Sequence, residues 1–250
     1  MSKPKVNKNS KFFHDRANEL RQLEKSLSSL YPAGEAYLEP LKAAAKQLDT
    51  EADGSATLNQ WGYHIKNLLL PVGNVHNVNP AGIQAKICVN CECEFNVNDW
   101  NNTNCDPFNK CSFRIRVFGE YQGIKHSWGM HIDKEARTGL DEWHPLYHLH
   151  CFEGMVDSPT VLIDASQNKG TLLLNVPRLM HYPLDIFLGI GFCLMNFNKK
   201  EVFTKLYTND QQFPRLYKKS QDRIMKPYMD SLVGVSGSVF TRKALCPQAV

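Results

Sequence analysis

An α+β fold is predicted, a mostly antiparallel sheet of about five to six strands with N-terminal and C-terminal helices packed on one of its faces. Two periodicities and one bulk property predict it. Apolar residues recur at helical spacing through residues 10–70 and again through 183–233. Between Ile83 and Asn175 the period falls to two, as in strands with one buried face. The chain of 250 residues is 42% hydrophobic and 22% charged, enough for one sizeable core, so residues 1–250 are read as a single domain. That composition excludes collagen-like, low-complexity and fully disordered classes.

Ser10 opens the first expected helix, which runs to about Leu30 with Phe13, Leu20, Leu23, Leu27 and Leu30 on one face. Pro32 and Gly34 end it. A second helix over Leu38–Leu48 has Pro40 near its first turn and buries Leu41, Ala45 and Leu48. A polar linker, Glu51 to Ala56, follows. Thr57 is then expected to cap a third helix carrying Leu58, Trp61, Ile65 and Leu68, closed by Pro71 and Gly73.

In the β-rich centre, residues 83–176, Ile87, Val89, Cys91, Cys93 and Phe95 alternate with Cys88, Asn90, Glu92, Glu94 and Asn96. A loop spans Asn98 to Pro107. Phe113, Ile115 and Val117 alternate with Arg114, Arg116 and Phe118, and a turn at Tyr121-Gln122-Gly123 leads to Trp128, Met130 and Ile132. Tyr147, Leu149 and Cys151 alternate with His148, His150 and Phe152. Val161–Ile163 and Leu172–Val176 read as strands covered on both faces. Pro183 reopens helix, apolar all round to Phe197 and therefore buried. The amphipathic stretch Phe213–Leu232 contains Pro227, where a kink is expected. Residues 234–250 read as a mobile tail.

No apolar core follows the basic residues near the N-terminus, and the longest apolar run, Leu184 to Phe197, is short of a bilayer span. The eight cysteines do not resemble a small disulfide scaffold. A cytoplasmic protein with reduced thiols is expected.

Five of the nine histidines fall between 126 and 150. Strand parity sets His131 and Asp133 opposite Trp128, Met130 and Ile132, and sets His148 and His150 opposite Tyr147, Leu149 and Cys151. If both apolar sets face one core, all four polar groups leave the same side of the sheet. An even hairpin loop brings Arg114 and Arg116 to that side, and the preceding strand adds Asn90, Glu92 and Glu94. His131, Asp133, His148 and His150 are candidate ligands of a divalent metal ion, which would lower the pKa of a bound water. Without a metal, His131, His148 and His150 are candidate general acids and bases. Arg114 and Arg116 suit an anionic substrate, because the guanidinium fork binds phosphate bidentately. The plainer alternative pairs the two arginines with Glu92 and Glu94 across strands. His144, just before Pro145, reads as a loop residue, and His126 has core-face parity.

Cys88, Cys91, Cys93, Cys105 and Cys111 approach zinc-ligand spacing. On a strand, however, Cys88 and Cys91 face opposite ways. Cys151, on the apolar face, reads as packing rather than a nucleophile. Gly189-Ile190-Gly191 lacks phosphate-loop spacing and reads as a close helix contact.

The expected function is therefore a hydrolase or nuclease acting on a phosphate-containing substrate or nucleic acid through this sheet face. The alternative is a non-catalytic subunit that binds nucleic acid or a partner protein through its basic helices, with Lys199, Lys200, Lys218 and Lys219 as the contacts. The net charge of +4 conceals a division. Residues 1–25 carry seven basic and three acidic side chains, and residues 199–226 carry eight and three. The middle of the chain is acidic, which suits a cation site, while the ends suit a polyanion.

Overall fold

The computed structural model describes residues 9–54, 59–72, 83–102, 105–134, 145–153 and 179–233. Two helices open the chain, α1 (Ser10–Ser28) and α2 (Glu39–Gly54). In α1 the buried residues Phe13, Arg16, Ala17, Leu20, Leu23 and Leu27 follow the expected stripe. In α2 the stripe of Leu41, Ala45 and Leu48 continues to Ala52, so the helix runs through most of the stretch expected as linker. Asp49 of α2 ties the pair together, accepting from His14 at 2.7 Å and from Arg21.

Six antiparallel strands form one meandering sheet in chain order: β1 (Gln60–Pro71), β2 (Gln84–Asn96), β3 (Phe108–Tyr121), β4 (Ile124–Lys134), β5 (Tyr147–Glu153) and β6 (Leu179–Met180). The third expected helix is thus a strand. Trp61 and Ile65 are four apart, which satisfies a helix but also satisfies an even period, and Tyr63 between them is buried too. The odd step to Leu68 comes from a bulge. Ile65 pairs with Cys91 and Leu68 with Val89, so β1 carries one extra residue there. Asn67 absorbs it with φ 57°, a left-handed conformation that asparagine tolerates.

β3 and β4 join through Gln122 and Gly123, both at positive φ, the two-residue turn whose twist matches a hairpin. The inner faces of β2, β3 and β4 meet residue on residue: Val89, Ile115 and Met130 in one row, Cys91, Phe113 and Ile132 in the next. The loop expected at Asn98 to Pro107 begins instead with a short helix, α3 (Val97–Asn101), capped by the Asn96 side chain accepting from the Asn98 N–H at 2.9 Å. The strands expected at 161–163 and 172–176, His144 and the tail 234–250 lie outside the described residues.

The C-terminal helices are α4 (Ile186–Phe197), α5 (Lys200–Asn209), α6 (Gln212–Ser220) and α7 (Lys226–Leu232). Of these, α5 lies within the expected helical part 183–233 but is not delimited there as an element of its own. α4 lies on the inner face of the sheet: its Ile186 N–H donates to the Tyr63 hydroxyl at 3.1 Å, and the Cys111 thiol reaches Leu184 O at 3.6 Å. Gly189 makes this approach possible. A Cβ there would sit 2.1 Å from the Phe113 ring, and one on Gly191 would sit 2.3 Å from Tyr217. Both glycines therefore serve packing, as expected.

At Pro227 the helix does not simply bend. A π-helical turn over Gln221–Met225 precedes it, with the Lys226 N–H bonded five residues back to Gln221 O. Proline has no N–H to offer and its ring crowds the carbonyl four residues earlier; the wider turn relieves both constraints. No helix among the described residues is long and apolar enough to cross a membrane.

Candidate functional site

With α4 on the inner face, the outer face of the sheet carries the polar alternates of β1 to β5. The register aligns them in rows. One row runs Asn90, Arg114, His131, His150 across β2 to β5. The next runs His64, Glu92, Ser112, Asp133, His148 across β1 to β5. The parity argument therefore holds for each residue it placed on this face.

Three imidazoles gather on β4 and β5. His131 and His150 are directly cross-strand and stack with ring centroids 4.9 Å apart, His148 lies 5.0 Å from His150, and His131 lies 6.4 Å from His148. Asp133 Oδ2 is 3.4 Å from His131 Nε2 and 3.9 Å from an Arg114 Nη. Burial, with help from the Arg114 charge, pushes the His131 imidazole below its ordinary pKa, and Asp133 opposes the shift. A half-buried His131 is thus biased toward the neutral, proton-accepting form. His148 is buried, with Nδ1 3.4 Å from Pro145 O.

The two arginines separate in role. Arg114 is half-exposed beside Asp133 and His131. Arg116 shares the face but stands one row away, opposite Gly129, with its guanidinium 5.1 Å from the centre of the Phe118 ring. Neither arginine takes up the glutamates of β2. Glu92 pairs instead with Lys110 at 2.8 Å, which holds its carboxyl below the usual range. Arg114, with only the 3.9 Å contact to Asp133 among the described residues, keeps much of its charge available to an incoming anion.

Among the described residues, no three His, Cys, Asp or Glu side chains form a group able to hold a metal ion. The cysteines show why spacing alone misleads. Cys91, Cys93 and Cys111 face the core, with the Cys91 and Cys93 sulfurs 3.7 Å apart, whereas Cys88 is on the opposite face and Cys105 touches the carbonyls of Asp99 and Asn102. Burial raises the pKa of all three core thiols. They are packing groups. Burial likewise raises the Cys151 thiol.

A groove of about 380 Å³ adjoins the cluster and is lined by His64, Lys66, Asn67, Asn90, Glu92 and Arg114. The β1 residues in it escaped the sequence reading because 57–70 was read as helix. With a period of two, His64 falls on the polar face, and Lys66 and Asn67 join it through the bulge. Three of the basic side chains of the C-terminal helices are paired: Lys218 with Asp222 at 3.0 Å, Lys219 with Glu19 of α1 at 2.7 Å and Lys226 with Asp230 at 2.5 Å. Comparison with family models, with curated proteins and with solved structures gives no match for this chain.

Proposed function

We propose that the protein is a hydrolase of phosphate-containing substrates, nucleic acid included, that works on the outer face of its sheet. One observation carries the reading: His131, His148 and His150 meet beside Asp133 and an arginine whose charge is not taken up by the neighbouring glutamates. Arg114 would hold the phosphate, with Arg116 at the margin. His131, oriented by Asp133, would take a proton from the attacking water, and His150 or His148 would protonate the leaving oxygen as the P–O bond breaks. Such acid–base pairs contribute roughly 10²–10⁴-fold to rate. A second version has His131, Asp133, His148 and His150 drawn together from their present spacing around a divalent ion, which would activate the water directly.

The test is turnover of a generic phosphodiester and of labelled RNA and DNA by the purified protein, with elemental analysis of the same sample. His131→Ala and His150→Ala are expected to lose roughly 10²-fold or more of the rate while melting like the wild type. Arg114→Ala is expected to raise KM. Stoichiometric metal lost in His131→Ala selects the metal version, and turnover by metal-free protein selects the imidazole pair. Folded histidine variants with unchanged activity, or no activity on any phosphoester, would overturn the reading.

A further inference from the structure

The groove beside the histidine cluster does not end at β1. His64 and Lys66 also line a second groove of about 620 Å³ between β1 and α2, whose other walls include Tyr37, Lys42 and Lys46. The two depressions share those residues, so they form one path. It runs from α2 over β1 and β2 to Arg114 on β3 and then to His131 and His150.

Charge along this path is one-sided. Lys42 is taken up by Glu39 at 2.7 Å, and Glu92 by Lys110. Lys46 and Lys66 are exposed and hold no ion pair among the described residues. Among the described residues, Arg114 makes only the 3.9 Å approach to Asp133. What remains is a series of cations spaced along a channel. At the α2 end stands Tyr37, 51% exposed although its backbone is fixed by two hydrogen bonds to Leu69. A half-exposed ring on an anchored backbone offers a base a pre-placed stacking surface.

Length sets the polymer. Adjacent strands are ~4.8 Å apart, so the span from β1 to β5 is about 19 Å before α2 is added. One strand of nucleic acid carries a phosphate roughly every 3.4 Å when stacked, so about six nucleotides cover that span. A mononucleotide reaches Arg114 but leaves Lys66, Lys46 and Tyr37 without a ligand.

We propose that the substrate is a single-stranded oligonucleotide, laid from Tyr37 and Lys46 across Lys66 to Arg114, so that a phosphate arrives at the histidine cluster. Tyr37 stacks on a base, and the lysines follow the backbone. The bulge at Asn67, fixed by its N–H to Asn90 Oδ1 at 2.9 Å, shapes the floor between the two grooves. This deepens the hydrolase reading and rests on it for the chemistry, but not for the binding.

The experiment is fluorescence anisotropy of a labelled oligothymidylate of about ten nucleotides, within the usual 4–16 nucleotide site size. It is run with the His150→Ala variant so that the probe stays intact. Lys46→Glu and Lys66→Glu are each expected to weaken binding at least tenfold and to reduce the slope of log K against log salt by roughly 1 or more. Tyr37→Ala is expected to weaken it roughly 5- to 100-fold, while Tyr37→Phe binds like the wild type. Lys205→Glu, on the exposed side of α5, is the charge control and is expected to change nothing. Absence of binding overturns the proposal. So does binding that is indifferent to Lys46 and Lys66, equally sensitive to Lys205, or as tight for the duplex of the same sequence. If no oligonucleotide binds but a small phosphodiester is still cleaved in a His131-dependent way, this inference fails and the hydrolase reading stands. Binding without cleavage of any phosphoester gives the reverse.

Discussion

Asp185 offers a measurement of how the helices are locked to the sheet. Its carboxylate caps α4, accepting the Leu188 N–H at 2.9 Å, and accepts the Ser220 hydroxyl of α6 at 2.6 Å. It is 1% exposed. Burial, with Glu19 adding to it, pushes its pKa from 3.8 up to about 6, against the pull of the Leu188, Ser220 and Phe187 donors. The nearby Arg16 is committed to Glu19 at 2.8 Å and to the faces of Phe12 and Trp100. A carboxyl with a raised folded pKa holds its proton more tightly when folded. Its contribution therefore favours folding fully below pH ~4 and is lost as pH rises through ~6. About two units correspond to roughly 3 kcal/mol.

Asp185→Asn keeps the cap, because the amide oxygen still accepts the Leu188 N–H, and removes the titration. The difference in unfolding free energy between wild type and variant is expected to move against the wild type by up to about 3 kcal/mol between pH 4 and pH 6.5, and then to stay level. Urea titrations followed by tryptophan fluorescence at pH 4.5, 5.5, 6.5 and 7.5 measure this directly. Asp185→Ala should share the loss of pH dependence but sit about 1 kcal/mol lower through the lost cap. A difference that is constant with pH, or that moves in favour of the wild type as pH rises, would refute the reasoning. It would mean that the donors around Asp185 outweigh its burial.

Gly189→Ala drives a methyl into the Phe113 ring; it is expected to cost about 1–3 kcal/mol of stability. Gly54→Ala, with nothing within 4 Å, should stay within roughly ±0.5 kcal/mol, so equal denaturation midpoints for the two variants would contradict the packing account. Tyr147→Phe removes a buried hydroxyl that donates to Asp106 at 2.7 Å and leaves that carboxylate to Lys134 at 2.9 Å. A loss of about 1–3 kcal/mol is expected in denaturant unfolding.

The fold class and most of the outer face were legible because periodicity reports which side of an element is wet. Ile87 to Phe95, Phe113 to Val117 and Trp128 to Ile132 alternate without interruption, and the Gln122-Gly123 turn sets the register of β3 against β4. That was enough to place His131, Asp133, His148 and His150 on one side of the sheet before any coordinates. The same reasoning failed at β1, since a single bulged residue at Asn67 turns an even period into an apparent helical one. The cost was functional: His64 and Lys66 disappeared from view, and with them the groove.

By itself, the sequence determined the apolar faces of α1, α2 and β2 to β5 and which face carries the imidazoles, because these follow from local alternation along the chain. Only tertiary structure decided which polar groups meet. It gave Lys110 rather than an arginine to Glu92, left Arg114 with only a long contact to Asp133 among the described residues, sent Arg116 to Phe118, and paired Lys218, Lys219 and Lys226 with Asp222, Glu19 and Asp230. Such pairings depend on strand register and on helix packing to within an ångström or two, and side-chain charge alone does not encode them. Whether a cation is spent on a neighbour or left for a ligand is a property of three-dimensional proximity, and that is where the candidate site of this protein was settled.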